Sequence, residues 1–194
     1  MKFFLVICVC FLTLSIFAQG PDIGIEYADA SKFDWALFKG KINPKHIATM
    51  GKNTGAVTVS SLSYSTVKYT ANSVILKVTA KFHPTESWTR YPKLKDPGHA
   101  LNHEKRHFDL CEVYARKIRQ RISETHFTRR NLNAQLKTIF SALAGEHNAE
   151  QLKYDHQTDH SIDPDQQKLW NKQIDVRLTD LADYAETVVV VPLD

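Results

Sequence analysis

The sequence predicts an α+β fold, a small antiparallel or mixed sheet packed on about three main helices. Three observations carry that expectation. Val- and Thr-rich runs between Gly55 and Phe82 alternate partly in polarity, as half-buried strands do. Apolar residues recur at helical spacing through the second half of the chain. Two Asp-Pro pairs, Asp96-Pro97 and Asp163-Pro164, mark helix starts, because Asp caps free N–H groups and Pro suits the first helical turn.

The elements follow in chain order. Residues 1–18 read as a secretory signal peptide: Lys2 supplies a positive start, Phe3 to Phe17 is apolar apart from Thr13 and Ser15, and Ala18 is a small residue suited to cleavage. The run is shorter than the roughly 20 residues of a membrane span and no basic cluster follows it, so no stable membrane insertion is expected after cleavage. Cys8 and Cys10 leave with the signal. Of three cysteines only Cys111 remains, so residues 19–194 hold no internal disulfide. Roughly 175 residues suit one hydrophobic core, hence a single domain, secreted or periplasmic. The formal charge of +4 is too mild to imply a polyanionic partner.

Asp34 to Phe38 is a short aromatic segment whose Trp35 and Phe38 suit packing on the sheet. Gly55 to Tyr69 and Ser73 to Phe82 read as strands joined by a turn at Ala71-Asn72-Ser73, a hairpin or meander. The first helix runs from Asp96-Pro97 to about Ser123. On it Leu101, Phe108, Cys111, Ala115, Ile118 and Ile122 gather on one side, and His103, His107, Leu110 and Tyr114 on the adjoining side. A second helix is marked by Leu132, Leu136, Ile139, Phe140 and Leu143, with Gly145 as a point where it could break. The third opens at Asp163-Pro164 and carries Trp170, Ile174, Leu178 and Leu181. Val188 to Val191 reads as a terminal strand that rejoins the sheet.

The chemistry sits on the first helix, where residues 103–107 spell H-E-x-x-H. Residues four apart share a helix face, so both imidazoles can bind one metal ion, with zinc the expected cofactor. Glu104, one position after the first ligand, is placed to act as general base. A catalytic zinc takes three protein ligands and leaves a position for water, so a third must come from elsewhere. Position 110 is Leu110 and position 113 is Val113, which excludes an H-E-x-x-H-x-x-G-x-x-H solution. Glu112 points away from the imidazoles. Glu146, His147 and Glu150 lie on the second helix, and Tyr154 to His160 is the densest cluster of metal-capable side chains.

These motifs resemble a bacterial family of predicted secreted zinc-dependent proteases, a domain of unknown function in the zincin-like group. The resemblance rests on Trp35, Phe38, Ser87-Trp88, His103-Glu104-x-x-His107-Phe108-Asp109 with Glu112 and Tyr114-Ala115-Arg116, then Tyr154-Asp155-x-x-Thr158-x-His160, Gln167 and Trp170. It covers nearly the whole mature chain. The family pattern commonly has Gly after the late His, where this chain has Ser161. The resemblance implies a zincin-like fold, a peptide or protein substrate, and His160 as third ligand beside His103 and His107. Asp155, Glu146 and His156 are the alternatives. It also implies that a strand within Ser73–Phe82 binds extended substrate by strand addition. Tyr154 and His156 are the expected donors to an oxyanion. The alternative function is a secreted, non-catalytic binding or structural domain whose zinc site stabilises the fold.

The other notable residues have plainer expectations. His46, His83, His99 and His126 read as surface or capping residues, and Cys111, Trp35, Trp88 and Trp170 as core. Asp109 reads either as an acceptor behind a ligand imidazole or as a solvated charge. Arg116 to Arg121, with Arg129-Arg130, form no single stripe when wound on a helix, so they read as solvated surface and no nucleic acid is expected.

Overall fold

The computed structural model describes residues 24–30, 32–42, 44, 47–48 and 54–194. The expected signal peptide and His46 lie outside the described residues. Strands β1 (Ile25–Glu26), β2 (Ala56–Val57), β3 (Ser60–Tyr69), β4 (Ser73–Phe82) and β5 (Trp88–Thr89) precede helices α1 (Pro97–Ser123), α2 (Leu132–Gln157) and α3 (Pro164–Asp180). Strand β6 (Val188–Pro192) closes the chain. The α+β expectation holds, with small antiparallel sheets packed on three helices.

Both helix starts are where their caps require them. The Asp96 carboxylate accepts the His99 amide and the Asp163 carboxylate accepts those of Asp165 and Gln166, with Pro in the first turn each time. Helix α2 runs unbroken through Gly145, at a position where the protein surface is open. A glycine there costs about 1 kcal/mol, which a helix packed along its length tolerates.

The hairpin β3–β4 forms as expected, in register from Ser60↔Phe82 to Tyr69↔Val74 with one irregularity between Thr66 and Lys68. The terminal strand returns to pair with β4 from Lys77↔Val188 to Ser73↔Pro192. The run from Gly55 to Tyr69 is not one strand. It breaks at Thr58-Val59, where Thr58 Oγ1 turns to donate to Glu104 O and the Val59 amide donates to Ser87 Oγ. The piece before the break, β2, pairs with β5 in a separate two-stranded sheet.

This topology overturns the expected role of Ser73–Phe82 as a substrate-binding edge. Strand β4 is interior: β3 covers one side, while β1 and β6 share the other at Ile25↔Phe82 and Val74↔Val191. The Val78 amide between those two segments is already taken by Thr187 O. A strand whose ladder groups are paired offers no template for another chain.

Helix α1 is the centre of the molecule and is buried on several faces. Phe108, Cys111 and Ala115 pack with Phe38, Ala80 and Phe82. Tyr114, Ile118 and Ile122 meet Val74, Leu76 and Val78 of the sheet together with Leu132, Leu136 and Leu143 of α2. Leu110 and Val113 pack with Tyr154, Trp170 and Ile174 of α2 and α3. Cys111, Trp88 and Trp170 are therefore core residues, as expected. The basic run is not wholly solvated, because Arg119 is 1 % exposed. It donates to Val78 O, Tyr184 O, Ala185 O and both oxygens of Glu112, which joins α1 to the sheet and to the chain after α3. Asp109 is likewise neither solvated nor behind an imidazole. It is fully buried and accepts from Tyr27 Oη, Lys105 Nζ and Arg106 Nη1.

Candidate metal centre

His103 and His107 project from successive turns of α1 toward the C-terminal part of α2. Their Nε2 atoms are 3.2 Å apart. Asp155 of α2 completes a triangle, with its Oδ1 3.2 Å from His103 Nε2 and 3.0 Å from His107 Nε2. All three side chains are buried and form a group able to hold a metal ion. The edges of the triangle are close to the roughly 3.3 Å that separates two ligand atoms on a tetrahedral zinc with bonds of about 2.0–2.1 Å.

The far side of each imidazole decides which of its nitrogens carries a lone pair. His103 Nδ1 lies 3.0 Å from Gln167 Oε1, and His107 Nδ1 lies 2.6 Å from Gln151 Oε1. Neither amide can be turned over. Gln151 Nε2 donates to the His107 carbonyl, which only accepts, and to His147 Nε2. Gln167 Nε2 donates to Asn171 Oδ1 and to Tyr154 Oη, whose own proton serves the His103 carbonyl or Gln167 Oε1. Both imidazoles therefore donate through Nδ1 and turn Nε2, the nitrogen that would bind a metal, toward Asp155, the arrangement by which an outer layer orients metal ligands.

The electrostatics agree with a cation site. Burial pushes the Asp155 carboxyl up, but positive charge on the His107 and His103 rings and hydrogen bonds from them outweigh it and hold the group well below the usual carboxylate range. Two imidazole nitrogens and a carboxylate oxygen meeting at this distance are held together by positive charge, carried by ring protons or by a bound cation. Two nitrogens and one oxygen are a donor set that suits zinc. The ring of Tyr154 stacks on His103 at 4.7 Å and meets His107 edge-on at 4.9 Å, which fixes both imidazoles from below.

A model of the family described as "Bacterial protein of unknown function (DUF922)" matches residues 25–161. The chain belongs to this family. The DUF922 match takes in both motifs, from His103 to His160, and ends before α3 supplies Gln167. No curated protein and no solved structure matches the chain.

In this DUF922 protein the expected site residues are distributed as follows. His103 and His107 come together, with Asp155 as their companion. His160 stands beside the group, its Nδ1 3.9 Å from Asp155 Oδ1 and its side chain 43 % exposed. Glu104 is buried, and among the described residues its carboxylate makes no hydrogen bond or ion pair. Glu146 pairs with Lys117 across the surface and His156 is exposed, so neither is at the centre. Glu150 is engaged with Arg177, and Glu112 with Arg116 and Arg119. Tyr154, expected as an oxyanion donor, has its hydroxyl committed to the His103 carbonyl and Gln167; burial pushes its pKa up, so it stays protonated.

His147 also lies behind the site, buried and accepting from Gln151. Burial lowers its pKa to about 4, so it is neutral there. The sequence predicts no role for Gln151 and offers His147 only among the candidates for a third ligand. The signal for them is a polar stripe, His147, Gln151 and Asp155 at four-residue spacing, on a helix face that would otherwise be apolar. Of the plainly read histidines, His126 is exposed beside Asp194. His83 bonds Ser61, and His99 closes the α1 cap through its amide while its enclosed Nε2 has no hydrogen-bond partner among the described residues.

Proposed function

We propose that this DUF922 protein is an exported zinc-dependent hydrolase, specifically a metallopeptidase acting on peptide or protein substrates. The observation that carries the reading is the triangle of His103 Nε2, His107 Nε2 and Asp155 Oδ1, with Glu104 one residue from the first ligand. Three protein ligands are the number that leaves a zinc open to substrate. Bound there, the ion would supply Lewis acidity and lower the pKa of a coordinated water towards about 7.

The chain's own groups then have distinct tasks. His103, His107 and Asp155 hold the ion, and Gln167 and Gln151 keep the imidazoles in the tautomer that can do so. Glu104 accepts a proton from the attacking water and returns it to the leaving amine, a role open to a carboxylate not tied up in an ion pair. Thr58 Oγ1, bonded to the Glu104 carbonyl, fixes the backbone under that carboxylate from the break between β2 and β3. The apolar segment from Phe3 to Phe17 supports export.

The test is Glu104→Gln, assayed on a peptide library with zinc content measured alongside. Zinc should stay at the wild-type level while cleavage falls by about 100- to 10,000-fold. Full activity in that variant would end the mechanism.

A further inference from the structure

His160 is held in place by a costly piece of backbone. Asp159, His160 and Ser161 have φ of 46°, 52° and 76°, three successive non-glycine residues in the left-handed region. Ser161 occupies the position where the resembling family pattern commonly has Gly. The turn is pinned at both ends. The His160 amide donates to the carbonyl of Asp155 itself, and the Ile162 and Asp163 amides both donate to Thr158 O. Thr158, fully buried, bonds back to Tyr154 O through its hydroxyl. Simpler turns could join α2 to α3, so the strain serves the placement of the His160 ring.

That placement is next to the metal group but outside it. Nδ1 lies 3.9 Å from the ligand oxygen of Asp155, while His103, His107 and Asp155 alone form the set whose ligand atoms are all within 4.8 Å of one another. With 43 % of its side chain exposed beside the buried Asp155, the ring is open to a molecule arriving from solvent. No other expected donor is available, because Tyr154 is committed and buried and His156 points into solvent.

Resting on the metallopeptidase reading above, we propose that His160 is a catalytic residue and not a metal ligand. The Nε2–H of His160 donates a hydrogen bond to the carbonyl oxygen of the scissile peptide as that oxygen becomes negative. No proton is transferred by His160 and no covalent bond to it forms. The strained turn pre-orients the donor, so little reorganisation is needed when the charge develops.

The full-length zinc-loaded protein, His160→Asn and His160→Gln test this together. Asn tolerates the left-handed conformation but its amide reaches no further than the Nδ1 position, whereas the Gln amide can place a donor where Nε2 stands. Zinc content by mass spectrometry should equal wild type in both. In His160→Asn, kcat should fall about 100-fold with KM changed only a few-fold, and His160→Gln should recover part of that loss. Loss of zinc in His160→Asn would make His160 a ligand and overturn the inference, as would retained zinc with unchanged kcat. A wild type that holds zinc but cleaves no peptide, or that holds no zinc, overturns the metallopeptidase reading and takes this inference with it. An active wild type with an active His160→Asn overturns the inference alone.

Discussion

Two buried polar clusters sit on the same helix, α1, and treat their charges in opposite ways. Around Glu112 each acceptor meets a donor: Arg116 Nε lies 2.9 Å from Oε1, Arg119 Nη1 3.1 Å from Oε1 and Arg119 Nη2 3.2 Å from Oε2. The remaining Arg119 protons go to three backbone carbonyls. Around His103 the outward-facing atoms are satisfied by Gln167 and Gln151, while the inward-facing atoms, two Nε2 nitrogens and Asp155 Oδ1, converge on one point, with His160 Nδ1 3.9 Å from that oxygen. Both clusters are buried to a similar degree, so burial alone does not tell structure from function. The difference is closure. A cluster whose acceptors each meet a fixed donor holds elements together, and one whose ligand atoms converge on a single point is suited to a cation.

The largest test of that contrast is a pair of truncations. Asp155→Ala should take zinc content from about one per chain to near zero, measured on purified protein after dialysis against trace zinc. Its unfolding free energy in chelator should change by less than that of the second variant. Arg119→Ala should cost about 3–5 kcal/mol in urea unfolding, because it leaves Glu112 buried with only Arg116 and strips donors from Val78, Tyr184 and Ala185. The folded fraction of Arg119→Ala should still bind zinc as wild type does. The opposite pattern, zinc kept without Asp155 and lost without Arg119, would break the comparison.

What the sequence made legible was local. The caps at Asp96 and Asp163, the β3–β4 hairpin and the pairing of His103 with His107 all depend on spacings of a few residues. What it left open depends on where elements end and what surrounds them. Asp155 and His160 belong to one cluster by spacing, yet α2 ends at Gln157, so Asp155 keeps the helical direction toward His107 and His160 is carried outward by the left-handed turn. Arg119 reads as solvated because helix surfaces usually are, but α1 is enclosed by the sheet, α2 and the chain after α3. Strand order is a long-range property as well. Nothing within Ser73–Phe82 announces that β1 and β6 will divide its second edge between them.

The smallest effect sharpens the comparison from behind the metal site. His147 is the outermost member of the chain that runs through Gln151 to His107, and it closes that chain only as a neutral acceptor. Burial lowers its pKa from 6.5 to about 4. The unfolded chain therefore takes up a proton more readily than the folded one, and stability falls as pH drops through 6.5 towards 4. Between pH 7 and pH 6 this one group should remove about 0.7 kcal/mol, with more lost below that. Urea unfolding of wild type and His147→Gln at saturating zinc isolates it, since the ligand histidines titrate alike in both. The variant should show the shallower decline. Equal slopes would mean that His147 is protonated in the fold, and Gln151 would then have to orient His107 without it.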